Sequence, residues 1–211
     1  MASGFPGSID NFTDPLTTSA LNSPSHAGQH QDLNDAVEKI ETYMGLVKVI
    51  PTSGTNCTVG ATGTVTIGNA VTTFTVNGAF SSLYENYRII INGGSATNAS
   101  GLSLALGAST TGYYQILSYG TYATGALTTL AVNNGVSWSY AGEVSTNSIA
   151  LNIDLLGPNT AKFTHIMGFY PGTVGGWQSG YHGVATAYTG FTITSGHAMT
   201  GGTLRVYGYR N

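Results

Sequence analysis

The chain predicts a mainly β protein: an extended N-terminal arm and one short α-helix, followed by an antiparallel β-sandwich of jelly-roll type. Three observations carry this. Short β-favouring runs recur through residues 50–211, divided by turns such as "NGG", "NNG" and "GPN". Helical periodicity is confined to one segment ahead of them. Charge is split as well: residues 1–48 hold six of the nine acids, and the β region keeps only Glu85, Glu143 and Asp154. The shift falls near Gly45 and Pro51, which punctuate the chain. The expected parts are an arm over 1–22, a helical neck over 23–48 and a β head over 49–211.

The arm, "SGFPGSIDNFTDPLTTSALN", has turn residues, two prolines and isolated apolar anchors at Phe5, Ile9, Phe12 and Leu16. It shows neither period. Alone it buries too little to offset the entropy of ordering, so its anchors are expected to lie on a partner. The neck opens with Ser23, Pro24 and Ser25, suited to a helix cap and first turn. Leu33, Val37, Ile40 and Met44 follow at heptad spacing. Asp32, Asp35, Glu38 and Glu41 fall off that seam, and Gly45 suits the position after the last turn. Two heptads are too short to hold an oligomer alone.

In the head, the expected strands are "GTVTIG", "VTTFTV", "YRIIING", "LSLALG", "YYQILSY", "ALTTLAV", "SIALNIDLL", "KFTHIMGFY", "HGVATAYTGFTIT" and "GTLRVYGY". Charged residues are only 7% of the chain. A solitary β domain usually blunts its edges with charge; here neighbouring copies are expected to cover them. The 30 glycines and 6 prolines in 211 residues fall short of the roughly 25–30% that marks low-complexity disorder.

Several function classes are disfavoured. A net charge of -3 with six scattered bases does not suit phosphate neutralisation, so nucleic acid is not an expected partner. No run approaches the roughly 18 apolar residues of a membrane helix, and the N-terminus lacks a signal-peptide pattern. Cys57 is the single cysteine and leaves no intrachain disulfide. His26 and His30 stand four apart at the start of the helix, but two imidazoles fall short of the three or four ligands a zinc site needs. No metal and no cofactor are expected. A catalytic carboxyl pair would have to come from Glu85, Glu143 and Asp154. No nucleophile elbow, phosphate loop, H-E-x-x-H or C-x-x-C occurs, so no enzyme is expected. The leading binding candidate is "PGTVGGWQSGYHG" (171–183), read as a glycine-rich loop carrying Trp177, Tyr181 and His182, suited to a sugar ring or a protein hot spot; "TTGYYQILSYGTY" (110–122) is a second, tyrosine-rich stretch.

The opening "PGSIDNFTDPLTTSALNSPSHAGQHQDLNDAVEKIE" resembles the N-terminal segment of tailed-bacteriophage virion proteins, where a Ser-Ile-Asp-x-Phe-Thr arm precedes a His-Ala-x-Gln-His and Asn-Asp-Ala-Val-Glu helix. "FSSLYENYRIIING", "PNTAKFTHIMG" and "GGTLRVYGYRN" resemble landmarks of a phage β-sandwich module. The resemblance implies a homotrimer in the virion, made in the host bacterial cytoplasm. The arm would dock on other virion proteins of the tail, baseplate or capsid, and the β head would meet a host surface glycan or protein. Ile9, Phe12, His26 and His30 would fall in arm and neck, Tyr207 and Tyr209 on the last strand. The leading expectation is a short tail fibre or spike; the alternative is a head fibre or capsid decoration protein.

Overall fold

The computed structural model describes residues 26–43 and 45–209, with helix side chains described for 30–38. Phe5, Ile9, Phe12, Leu16 and Met44 lie outside the described residues, as does the side chain of Ile40. The chain divides into two units at Gly45/Leu46. One contains helix α1, His26–Tyr43. Leu33 and Val37 on its expected seam are 54% and 45% exposed. Gly45 follows with φ of +79°, the left-handed conformation that ends helices and that glycine adopts without steric penalty.

The other unit, Leu46–Tyr209, is antiparallel β throughout. Its strands are β1 (Leu46–Lys48), β2 (Ser53–Thr55), β3 (Cys57–Val59), β4 (Val65–Ile67), β5 (Val71–Asn77), β6 (Asn86–Asn92), β7 (Ser95–Ala96) and β8 (Ser100–Leu106). They continue with β9 (Tyr113–Thr121), β10 (Leu127–Gly135), β11 (Trp138–Val144), β12 (Ile149–Leu156), β13 (Thr164–Tyr170), β14 (Val174–His182), β15 (Phe191–Thr200) and β16 (Thr203–Tyr209). Strand β1 falls inside the expected neck span but pairs with β16 of the head.

The pairings form two runs. One is β1–β16–β6–β12–β13–β14–β9–β10, with β4 also on β16 and β3 on β4; the other is β2–β5–β15–β8–β11, with β7 on β15. They meet at β12, whose first residues Ile149–Leu151 pair with β11 and whose later ones pair with β13. Alternation then decides what is buried. In the first run Val206, Ile89 and Ile153 stand abreast; in the second, Phe74, Ile193, Leu104 and Trp138 do. All belong to one core cluster. Phe80 ties the two runs together, with its ring 4.8 Å from Tyr87 of β6 and 5.6 Å from Phe191 of β15. Each large aliphatic side chain buried this way contributes about 1.5–3 kcal/mol.

All ten expected runs contain strand residues, although "HGVATAYTGFTIT" does so only at His182, the last residue of β14, and from Phe191, where β15 begins. Segment 174–182 is strand β14 rather than a glycine-rich loop. Its glycines are there for close packing. A Cβ at Gly176 would overlap the Ser118 carbonyl, and one at Gly180 the Tyr114 carbonyl, both on neighbouring β9. Glycine inside a strand marks such backbone approach.

Candidate functional site

Because β14 is a strand, its residues alternate between two faces. Trp177 and Tyr181 point outward and His182 points inward, fully buried. The three therefore do not form one site.

On the outer face, register places Phe169 of β13 opposite Trp177, and Tyr181 between His165 and Tyr114. Met167, Ser179 and Ile116 make the row between. Phe169 and Trp177 are 69% and 59% exposed, and Phe163, Met167 and Ile116 are about half exposed. Taking about 200 Å² for a fully exposed large side chain, these residues leave roughly 600 Å² of largely apolar surface in water, at the upper end for a monomeric protein. Phe163, Tyr181 and Tyr114 form a parallel stack, with ring separations of 5.9 and 4.6 Å. Strands β9, β10, β13 and β14 carry no Asp, Glu, Lys or Arg. The face offers apolar contact, aromatic edges and hydroxyls, without formal charge.

On the inner face, His182 lies against Tyr113, ring centroids 4.3 Å apart, and against Tyr188 at 5.4 Å. Its Nε2 is 2.8 Å from Ser109 Oγ and 3.0 Å from the Thr111 carbonyl. A carbonyl only accepts, so Nε2 carries the proton. Burial pushes the imidazole pKa down. His182 Nδ1 and Trp138 Nε1 are buried without hydrogen-bond partners among the described residues. Beside them Gln115 Nε2 donates to Gln178 Oε1, and Gln178 Nε2 donates to the Ala141 carbonyl at 2.8 Å. The Tyr140 N–H donates to Gln115 Oε1 at 3.1 Å. These side chains bind β9 and β14 to β11. Sequence reasoning missed the pair, although Gln115 shares its inward parity with Tyr113 and Leu117.

The Asp154 carboxyl has structural work. Asp154 receives Arg88 Nε at 2.8 Å, Arg88 Nη2 at 2.7 Å and the Tyr209 hydroxyl at 2.6 Å. Burial alone would raise the Asp154 pKa, but these hydrogen bonds and the guanidinium charge bring it down. Burial and the carboxylate push the Tyr209 phenol up to about 12. Glu85 precedes β6 and its carbonyl accepts from the Gly157 N–H. Cys57 is half-buried, its Sγ 3.4 Å from the Thr75 carbonyl, and burial raises its pKa. Among the described residues no group of three or more His, Cys, Asp or Glu could hold a metal ion, and no helix is long and apolar enough to cross a membrane.

Comparison with family models, curated proteins and solved structures finds no match to the chain.

Proposed function

We propose that this chain is an attachment protein of a tailed-bacteriophage virion, a short trimeric tail fibre or spike without catalytic activity. Its N-terminal segment docks on other virion proteins and its β head meets the host surface. The observation that carries this is the outer face of β13, β14 and β9, an uncharged array of exposed aromatic and apolar side chains on a rigid sheet. Such residues dominate recognition energetics. The similarity of residues 6–41 to phage virion segments supports the placement. The exposed Leu33 and Val37 seam supports association through the helix.

The test is location and adhesion. Antibody against the β head should label the phage tail, and the purified protein should bind host cells and compete with adsorption. The Trp177→Ser variant should lose most of that binding while melting within about 0.5 kcal/mol of the parent in stability. Label confined to the capsid shell, with no cell binding, would reject the proposal in favour of the decoration protein. A clean monomer in solution would reject the trimer.

A further inference from the structure

A second site lies elsewhere in the β unit. Strands β8, β9, β10, β11 and the end of β13, with the turn leading into β14, line an open cleft of about 300 Å³, the lower bound of ordinary small-ligand pockets. Tyr119, Tyr140, Tyr170 and Glu143 line it together with apolar side chains including Leu117 and Leu130.

Glu143 is 6% exposed, yet only half satisfied. Its Oε1 accepts from the Thr173 N–H at 2.9 Å and the Thr173 hydroxyl at 2.6 Å. Its Oε2 has no hydrogen-bond partner among the described residues. Gly172 keeps the space open: a Cβ there would come within 2.5 Å of the carboxyl carbon. No Lys, Arg or His lines the cleft. Oε2 is not among the fully buried unpartnered atoms, so it faces the open side of the cleft, where a cationic group could pair with it.

The tyrosines point the same way. Tyr170 is 7% exposed, and none of the three phenol oxygens has a hydrogen-bond partner among the described residues. Burial and the neighbouring Glu143 carboxylate push the Tyr170 phenol up, so it remains an O–H. The cleft thus combines one acidic group, three electron-rich rings and an apolar wall. It repels anions. A neutral sugar could donate a hydroxyl to Glu143 but would leave its charge unneutralised and three aromatic rings without a cation. A cation on an alkyl chain gains from all three, since aromatic rings attract ammonium groups electrostatically.

We propose that this cleft binds an alkylammonium group, with Glu143 as its counter-charge, Tyr119, Tyr140 and Tyr170 around it and Leu117 and Leu130 against its methyl or methylene groups. The group could come from a quaternary amine or a primary one; both share this chemistry. The inference is independent of the proposed virion role.

The full-length protein is titrated with choline and with butylammonium. The controls are the neutral isostere of choline, in which carbon replaces nitrogen, and methyl glucoside. At least one cation should bind at millimolar concentration, about tenfold or more tighter than the isostere. The stronger of the two identifies a quaternary or a primary source. Glu143→Gln should bring the cation down to the isostere's level with an unchanged circular dichroism spectrum. Because that variant also alters the Thr173 contacts, Tyr140→Leu is measured in parallel and should weaken the cation with Glu143 intact. Isostere or glucoside binding as tightly as the cations would overturn the proposal. So would no cation binding, or full cation affinity in both variants.

Discussion

Between β6, β12 and β16 on one hand and β5, β8 and β15 on the other, the filling is aliphatic and aromatic: Ile89, Ile153, Val206, Phe74, Leu104 and Ile193. Where β9 and β14 meet β11, the interior instead holds Gln115, Gln178, His182 and Glu143 among Trp138 and three tyrosines. The first region is specified by volume. Its contacts are non-directional, and any apolar group of the right size serves. The second is specified more by direction, because its Gln115 and Gln178 side chains hold their place through hydrogen bonds to each other and to β11. Both the exposed aromatic face and the tyrosine-lined cleft belong to this second region.

The difference can be broken at three points. Leu104→Ala in the aliphatic region should have the largest effect, destabilising by about 2–5 kcal/mol in chemical denaturation, with no sensitivity to pH near neutrality. Gln178→Leu should cost less, about 1–3 kcal/mol, because it orphans Gln115 Nε2 and the Ala141 carbonyl. A Gln115→Leu/Gln178→Leu double variant should lose clearly less than the sum of the two single variants, which would mark the pair as a coupled unit rather than two fillers. If the double variant loses the sum of the singles, direction is not what specifies this region. The smallest effect concerns pH. The folded His182 pKa lies below its ordinary value of about 6.5, so the folded state binds fewer protons than the unfolded one. Stability is then full above about pH 6.5 and falls as pH drops through that value. The melting temperature should fall between about pH 7 and pH 5, and His182→Gln should flatten the slope. Asp154 acts in a separate window. Its depressed pKa supports stability at neutral pH that is lost only as pH falls below the ordinary carboxylate range.

The contrast between the regions also decides what could be read from the sequence. The β class, the helix and its terminal glycine were legible, because period-2 runs such as Leu102, Leu104 and Leu106 announce buried strands directly. Strand β11 escaped because Trp138–Val144 is buried at successive positions after a register shift, so alternation is lost. Strand β14 escaped because glycine signals a loop when its neighbours in space are unknown; the carbonyls of Ser118 and Tyr114 that require it come from a strand about 60 residues earlier. His182 was grouped with Trp177 and Tyr181 for the same reason, since a loop has no inside. In the cleft, Glu143 stood out as one of few acids, but Tyr119, Tyr140 and Tyr170 are brought to it only by the folded sheet.

Strands β9, β10, β13 and β14 present an outer face without Asp, Glu, Lys or Arg. Dissolved ions weaken attraction between opposite charges and leave apolar contact largely intact. A partner held on this face should therefore not be released by raising the salt concentration.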